Sequence, residues 1–168
     1  GNREDGKTDP QIEHLFRVFV RLLQPCDHYP HSLRLVRQNA APLMLDVALA
    51  HDILEDTDVT EKELAAVLNE FGLEAVKALT RNKDQSYFDY IEKQVLTNPL
   101  ASLVKLADLE DNIENAIPSL QKRYNKAKKI LLDYWHNVVF PPPSTESDED
   151  AGDDKETPEK ETTLIQTD

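Results

Sequence analysis

The chain has 168 residues, a formal net charge of −13 at pH 7 and one cysteine, Cys26. A single cysteine excludes an intrachain disulfide and a cysteine-based zinc cluster. The acidic excess argues against a nucleic-acid or anionic-membrane scaffold, because such scaffolds need clustered Lys and Arg. The length predicts one domain. No apolar run approaches the roughly 18 residues of a spanning helix, and no signal-peptide pattern opens the chain, so we expect a cytoplasmic protein.

Helical periodicity recurs along most of the chain, and no alternating β-branched run of useful length interrupts it. The predicted helices span residues 11–23, 31–38, 42–56, 61–71, 73–79, 87–96, 99–117 and 119–139. Pro42 stands at a favourable first-turn position. Thr60 and Glu63 form a capping box, and Gly72 is expected to end a helix. The pattern predicts an all-α bundle of about seven helices over residues 11–140.

The first predicted helix carries an apolar stripe that is expected to lie in the core: Leu15, Phe16, Phe19 and Leu22. The two ends of the chain lack such stripes. Residues 1–10 are polar and predict a flexible lead-in. Residues 141–168 open with three prolines, contain ten acidic and two basic residues, and so carry −8 of the net charge. They cannot bury enough apolar surface to offset their ordering entropy, so we expect a disordered acidic tail, its partner unknown.

The stretch ALAHDILEDTDVT (48–60) places a histidine and several acids directly behind an apolar run. On a helix, His51 and Glu55 are four residues apart and share one face. Asp52 and Asp56 share the adjoining face for the same reason. The eight residues before His51 contain one charge, so the His51–Asp52 step is expected at the inner end of a buried helix. Burying carboxylates without a counter-charge costs several kcal/mol or more, and a divalent cation would remove that cost.

A metal ion needs further ligands, and two segments can supply them. Asp108 lies in the middle of another largely apolar predicted helix, and His31 opens the second predicted helix. With His51 and Asp52 they make a set of two histidines and two aspartates, in which His28 is a rival for His31. Mixed imidazole and carboxylate ligands suit Mn²⁺ or Fe²⁺, with Co²⁺, Ni²⁺ and Zn²⁺ as alternatives, and we prefer Mn²⁺.

The same residues belong to motifs in a recognisable order. H-D-x-x-E-D occupies 51–56 and is followed by TDVT, K-L-A-D-x-x-x-N occupies 105–112, and HSLRLV occupies 31–36. In these motifs the chain resembles the HD-domain metal-dependent phosphohydrolases. It resembles most their RelA/SpoT-type branch, which degrades guanosine tetra- and pentaphosphate. The segments LTRNKDQSYFDYI and NPLASLVKLADLEDN resemble small stand-alone members of that branch, and the resemblance covers residues 11–135.

This resemblance implies an HD-domain helical bundle with the activity of a guanosine-3′,5′-bis(diphosphate) 3′-pyrophosphohydrolase. In that reaction metal-activated water attacks the 3′-diphosphate. The metal ligands that it implies are His31, His51, Asp52 and Asp108. Glu55 and Asp56 would orient the water or accept its proton, and Asn112 would line the nucleotide pocket. The cations expected to neutralise the phosphates are Arg34, Arg81 and Lys83, with Lys105 as a weaker candidate that could simply pair with a carboxylate.

Two other functions stay open. The family usually has a basic, glycine-containing loop that ends in P-Y-x-x-H-P before the first histidine, whereas residues 22–32 contain no Arg, Lys or Gly. This difference favours a nucleoside 5′-monophosphatase or another nucleotide phosphohydrolase of the HD superfamily. The other alternative is a catalytically silent HD-fold binding module whose acidic tail docks a basic partner.

Each site residue also has a purely structural interpretation. His51 and Asp52 could form a buried ion pair at a helix end, and a neighbouring lysine could satisfy Asp108. The predicted catalytic acids could form a solvated turn, and the loop cations could be solvated charges. His14 and His136 fit no partner pattern, and we assign them no role.

Overall fold

The computed structural model describes residues 9–24, 29 and 31–141, apart from the side chains of His31 and Ser32. The regular structure in these ranges is helical throughout, which confirms the all-α prediction. The helices are α1 (Pro10–Leu23), α2 (His31–Ala50), α3 (Ile53–Asp56), α4 (Glu61–Leu64), α5 (Glu70–Leu79), α6 (Tyr87–Lys93), α7 (Pro99–Asn115) and α8 (Pro118–Tyr134). A 3₁₀ turn (Val95–Thr97) follows α6, and a π-helical turn (Trp135–Val139) extends α8. The rest of the predicted lead-in and acidic tail lies outside the described residues. None of the described helices has the length and apolar content to cross a membrane.

α7 is the central helix, and it contacts α1, α2, α5 and α8. Asn98 caps its N-terminus by accepting a hydrogen bond from the Ala101 amide at 3.0 Å, and Pro99 occupies its first turn. Apolar side chains cover most of its circumference, which is the pattern of a helix buried on all sides. Nine of its residues are buried, and two of these are the aspartates Asp108 and Asp111. α7 therefore carries two carboxylates into the core.

The second predicted helix and the first part of the third form one helix in the structure. α2 runs without interruption through Pro42, so the prediction of a helix start there was wrong. Pro42 is exposed, and its missing N–H removes a single internal hydrogen bond. The chain then turns at His51 and Asp52 before α3 begins. The predicted helix 42–56 is therefore broken at the histidine and aspartate on which the predicted site depends.

The predicted helix over 61–71 is also divided. The capping box at its start is confirmed, since the Thr60 amide donates to Glu63 Oε2 at 2.8 Å and Thr60 Oγ1 accepts from the Glu63 amide at 3.3 Å. α4 ends after one turn, and Asn69 caps a new helix by accepting from the Gly72 amide at 2.8 Å. The prediction that Gly72 ends a helix was wrong, because Gly72 lies in the first turn of α5.

α1 turns one face toward the bundle and another toward solvent. It packs against α2 and α7, with Val18 and Leu22 buried. His14 lies one turn before Val18 on the same face. Phe16 was predicted to be core, but it is 60% exposed. Its position two residues after His14 points it away from the bundle, so the predicted core stripe holds only in part.

Candidate metal centre

Three parts of the fold bring together His14 from α1, His51 and Asp52 from the α2–α3 turn, and Asp108 from α7. His14 Nε2 lies 3.1 Å from Asp108 Oδ1 and 3.7 Å from Asp52 Oδ2. His51 Nε2 lies 3.1 Å from Asp52 Oδ2 and 3.7 Å from Asp108 Oδ1. Each of the two nitrogens thus faces both carboxylates. We call these four side chains the His/Asp cluster.

The other ring nitrogen of each histidine is already engaged. His51 Nδ1 lies 2.7 Å from the carbonyl oxygen of Ala48, and His14 Nδ1 lies 2.9 Å from Asp111 Oδ2. A carbonyl and an ionised carboxylate can only accept, so both Nδ1 atoms carry hydrogen and donate. In the neutral rings, both Nε2 atoms therefore keep a lone pair that faces the His/Asp cluster. Metal-binding histidines in proteins are held in the same way.

The His/Asp cluster is buried on one side and open on the other. The side chains of His51 and Asp108 are 1% and 3% exposed, whereas those of His14 and Asp52 are 17% and 29% exposed. A small ligand can therefore approach from the side formed by His14 and Asp52.

Two neighbouring side chains hold the Asp108 carboxylate in place. Lys105 Nζ lies 2.6 Å from its Oδ2, and Asn112 Nδ2 donates to its Oδ1 at 2.6 Å. Burial alone would raise the pKa of Asp108. The charge of Lys105 and the neighbouring imidazoles of His14 and His51 outweigh burial and hold this pKa well below its usual value. The core therefore contains an ionised carboxylate that needs positive charge around it.

The negative charge of the cluster's carboxylates also acts on both imidazoles. Burial disfavours the charged form of His51, but the carboxylates of Asp108 and Asp52 outweigh it and raise the pKa of His51 to about 10. The hydrogen bond to Asp108 likewise raises the pKa of His14, against an opposing effect of burial. The two ring centroids are 5.4 Å apart, so two imidazolium charges would repel each other. One divalent cation would supply the same total charge and leave both rings neutral.

The residues present fit a divalent metal ion. His51 Nε2 is buried and has no hydrogen-bond partner among the described residues, although a carboxylate oxygen is close. Metal–ligand bonds of about 2.0–2.2 Å separate neighbouring ligand atoms by about 2.8–3.6 Å in octahedral or tetrahedral coordination. The observed nitrogen–oxygen distances of 3.1 and 3.7 Å are close to that range. Three ligand atoms, one each from His14, His51 and Asp108, lie within 4.8 Å of one another.

No protein-family model matches this sequence, and no curated protein matches it either. The chemistry of the His/Asp cluster is therefore inferred from its own atoms. Two imidazoles and two carboxylates can hold a divalent cation, and mixed nitrogen and oxygen ligands suit Mn²⁺ or Fe²⁺.

The histidine that α1 contributes is not the one that the motifs predict. His31 begins α2, and its side chain is outside the described part of the structure, so its role as a ligand stays a prediction; the rival His28 also falls outside it. His14, to which the sequence assigned no role, contacts Asp108 and Asp52 instead. The available signal was its position one turn before the buried Val18, which places a histidine on the inward face of α1.

The predicted catalytic acids lie next to the His/Asp cluster in sequence, and both are exposed. Glu55 Oε1 accepts a hydrogen bond from the backbone amide of Arg81, which ties α3 to the loop after α5. Asp56 accepts a hydrogen bond from the side chain of Gln11 on α1. Each acid therefore makes a contact between elements, and its role in catalysis stays a prediction.

The predicted substrate-binding residues fall in three places. Asn112 donates to Asp108 and thus supports a member of the His/Asp cluster. Arg81 and Lys83 are exposed in the loop after α5. Arg34 lines a different cavity of about 240 Å³ between α1 and α2, whose lining includes no member of the cluster.

An aromatic and cationic wall that the sequence did not indicate lies beside α7. The rings of Tyr87 and Tyr124 are 6.2 Å apart, and the Arg123 guanidinium carbon lies 4.8 Å from the centre of the Tyr87 ring. Burial raises the pKa of the Tyr87 hydroxyl, and the charges of Lys105 and Asp108 also act on it. That hydroxyl is buried and has no hydrogen-bond partner within the described ranges. The wall therefore presents ring faces and a guanidinium, and it contains a buried hydroxyl without a partner in the described residues.

Proposed function

We propose that this protein is a metal-dependent phosphohydrolase that acts on a nucleotide. The observation that supports it most directly is the convergence of two histidine nitrogens on two carboxylate oxygens at 3.1–3.7 Å. The proposed ligands are His14, His51, Asp52 and Asp108. Mn²⁺ is the preferred ion, and Fe²⁺, Co²⁺, Ni²⁺ and Zn²⁺ are alternatives.

A divalent ion bound there would polarise a phosphoryl oxygen and lower the pKa of water. The protein's own part is to hold the ligands in place. Lys105 and Asn112 fix the Asp108 carboxylate, and the Nδ1 contacts of His14 and His51 orient both rings. These contacts preset the ligand geometry, so little rearrangement is needed when the ion binds.

Glu55 and Asp56 are the proposed groups that orient the attacking water and accept its proton. They follow Asp52 within one helical turn and are exposed, so water reaches them. A carboxylate can act as a general base when it lies within hydrogen-bond reach of the water.

The proposed substrate class is a nucleotide carrying a diphosphate, with guanosine 3′,5′-bis(diphosphate) first. The H-D-x-x-E-D and K-L-A-D-x-x-x-N motifs support this assignment through their resemblance to the RelA/SpoT-type hydrolases. The wall of Tyr87, Tyr124 and Arg123 also supports it, because aromatic faces stack on nucleobases and guanidinium groups pair with phosphates. Hydrolysis would then release pyrophosphate and leave a nucleoside 5′-diphosphate.

A nucleoside 5′-monophosphatase is the second candidate. The absence of Arg and Lys from residues 22–32 favours it. The location of Arg34 in a separate cavity also favours it. A diphosphate carries more charge than a monophosphate and needs more cations around it, so fewer cations near the site suit the smaller group.

A catalytically silent binding module is the third candidate. The contacts of Glu55 and Asp56 favour it, because these acids bind the loop after α5 and helix α1 rather than members of the His/Asp cluster. Such a module would keep the metal and lack turnover.

One experiment separates these three functions. The purified protein is incubated with Mn²⁺ and with guanosine tetraphosphate, deoxynucleoside monophosphates or a generic phosphodiester, and the products are separated by ion exchange. We expect pyrophosphate and guanosine diphosphate from the first substrate. Inorganic phosphate from monophosphates alone would favour the second candidate, and bound Mn²⁺ with no product would favour the third.

Variants in the same stretch of chain test the ligand assignment in this assay. We expect Asp52→Ala to lose metal and turnover and Glu55→Ala to keep the metal but turn over slowly. Asp58 is an exposed acid in the same segment, so Asp58→Ala is the matched control and should retain both. Full metal content and rate in Asp52→Ala would overturn the assignment, and a wild-type protein that binds no divalent ion would overturn the proposed function.

A further inference from the structure

A second buried carboxylate, Asp111, lies one turn after Asp108 on α7, and its side chain is 1% exposed. Arg17 Nε donates to its two oxygens at 2.9 and 3.0 Å, and Arg21 Nε donates to Oδ1 at 3.3 Å. The fourth contact is His14 Nδ1, which lies 2.9 Å from Oδ2. Asp111 therefore joins three side chains of α1, one of which belongs to the His/Asp cluster.

The contact to Asp111 decides which nitrogen of His14 carries hydrogen. A neutral imidazole has two tautomers, and only the nitrogen without hydrogen can bind a metal. Asp111 accepts hydrogen bonds from two arginines, and as an ionised carboxylate it can only accept from His14 as well. It therefore selects the tautomer with hydrogen on Nδ1. This leaves the Nε2 lone pair facing Asp108 Oδ1 at 3.1 Å.

We propose that Asp111 is a positioning residue for the metal centre, which fixes the tautomer and ring angle of His14 while Arg17 and Arg21 hold its own carboxylate in place. This inference rests on the proposed function, because it requires His14 Nε2 to be a metal ligand. It adds a residue that neither the motifs nor the His/Asp cluster itself includes.

A simple bridge between α1 and α7 would not need this arrangement. Arg21 already bridges the two helices through Glu114, with Nη2 2.5 Å from Oε2, and the Glu114 side chain is 65% exposed. A surface bridge of this kind avoids the desolvation that a buried carboxylate requires. Asp111 is instead buried directly behind His14, where its second oxygen reaches Nδ1. The burial is explained if the carboxylate acts on His14.

The chain offers a matched pair of variants. Asp111→Asn keeps the size of the side chain, but its amide can either accept from or donate to Nδ1, so the tautomer of His14 is no longer selected. Glu114→Gln changes the other acid that meets Arg21 on the same pair of helices, without contact to His14. Arg17→Gln is a milder third variant, because it removes a hydrogen-bond donor to Asp111 and its side chain is 44% exposed.

The test measures Mn²⁺ affinity by the loss of the free-ion EPR signal, with circular dichroism as a check of folding. Residues that orient metal ligands typically change affinity by about 10–100-fold. We expect Asp111→Asn to weaken Mn²⁺ binding in that range and Glu114→Gln to leave it unchanged. ¹⁵N-histidine NMR of the Zn²⁺-loaded protein gives a second readout. In the wild type we expect hydrogen on His14 Nδ1 and the metal on Nε2, and in Asp111→Asn we expect that signature to be lost or mixed.

The outcomes of this test are distinct. A wild-type protein that binds no Mn²⁺ overturns the proposed function, and the inference with it. A wild type that binds Mn²⁺ beside an Asp111→Asn variant of equal affinity and unchanged NMR signature overturns the inference alone. If Asp111→Asn does not fold, Arg17→Gln decides: weakened Mn²⁺ binding in a folded protein supports the inference, and unchanged binding overturns it.

Discussion

His14 Nε2 and Asp108 Oδ1 lie 3.1 Å apart, although α1 and α7 are far apart in the sequence. Asp108 is ionised and buried, and it also lies 3.7 Å from His51 Nε2. The fold therefore holds two imidazoles around one internal carboxylate, with Asp52 completing the group on the exposed side. A single divalent cation would neutralise these carboxylates without placing two positive rings next to each other.

Substitution of single histidines tests which of them binds the proposed metal ion. We expect His14→Gln to weaken Mn²⁺ binding by more than about 100-fold, since loss of residues that merely orient a ligand already costs about 10–100-fold. We expect His31→Gln, and His136→Gln at an exposed position, to leave the affinity unchanged. EPR titration of Mn²⁺ measures all three. Loss of binding in His31→Gln with normal binding in His14→Gln would show that the motif-based assignment is right and the geometric one is wrong.

If the His/Asp cluster binds a divalent ion, removal of that ion should lower the thermal stability of the protein. At about 100 times its Kd, a ligand of the folded state adds about 2.7 kcal/mol to the free energy of unfolding. For a domain of this size, that corresponds to a Tm about 5–12 °C higher with Mn²⁺ than with a chelator. Scanning calorimetry measures the difference. We expect it to disappear in Asp52→Ala and to persist in Asp58→Ala, and an equal Tm with Mn²⁺ and with chelator in the wild type would contradict a specific site.

Replacement of Tyr87 by Phe tests whether its hydroxyl serves substrate binding or folding. It is buried without a partner in the described part of the chain, so Tyr87→Phe should leave the free energy of unfolding unchanged or raise it by up to about 1 kcal/mol. If that hydroxyl donates to the nucleotide, KM should rise by about 2- to 10-fold while Mn²⁺ affinity stays the same. Tyr134→Phe is the control. A destabilised Tyr87→Phe with an unchanged KM would mean that the hydroxyl supports the fold.

Tyr90 should make the protein sensitive to high pH. Its hydroxyl donates to the carbonyl oxygen of Leu79 at 2.5 Å, and burial raises the pKa of Tyr90 to about 12. Because the folded-state pKa lies above the ordinary value of 10, the protonated hydroxyl stabilises the fold fully below pH 10. That contribution is lost as the pH rises toward 12, and it amounts to at most about 3 kcal/mol.

The matching measurement compares urea unfolding of the wild type and Tyr90→Phe between pH 7 and 11.5. We expect the variant to be less stable at pH 7, because it lacks the hydrogen bond to Leu79, and the difference to shrink above pH 10. A difference that stays constant over this range would contradict the pKa shift.

Three of the four members of the His/Asp cluster follow from the sequence pattern. His51 and Asp52 follow an apolar run, and Asp108 interrupts another, so burial of both segments implies that these charges meet inside the protein. The structure brings them together, with His51 Nε2 3.1 Å from Asp52 Oδ2 and 3.7 Å from Asp108 Oδ1. What the sequence could not give is the break between α2 and α3, because neither His51 nor Asp52 is a residue that ends helices by itself.

The fourth member, His14, depends on how α1 packs, which the local pattern around Val18 indicates only weakly. His14 reaches the cluster because Val18 and Leu22 set the buried face of α1. Phe16 was expected on that face, but it is exposed. The apolar character of one side chain does not indicate on which side of the helix it lies. Asp111 was overlooked for a related reason: its role depends on α1 residues that are distant in sequence.

The most direct measurement is anomalous diffraction at the manganese edge from crystals grown with Mn²⁺. We predict one strong peak per chain, surrounded by His14 Nε2, His51 Nε2 and the carboxylates of Asp52 and Asp108. No peak at this position, or a peak bound by His31 with His14 turned away, would contradict the metal centre described here.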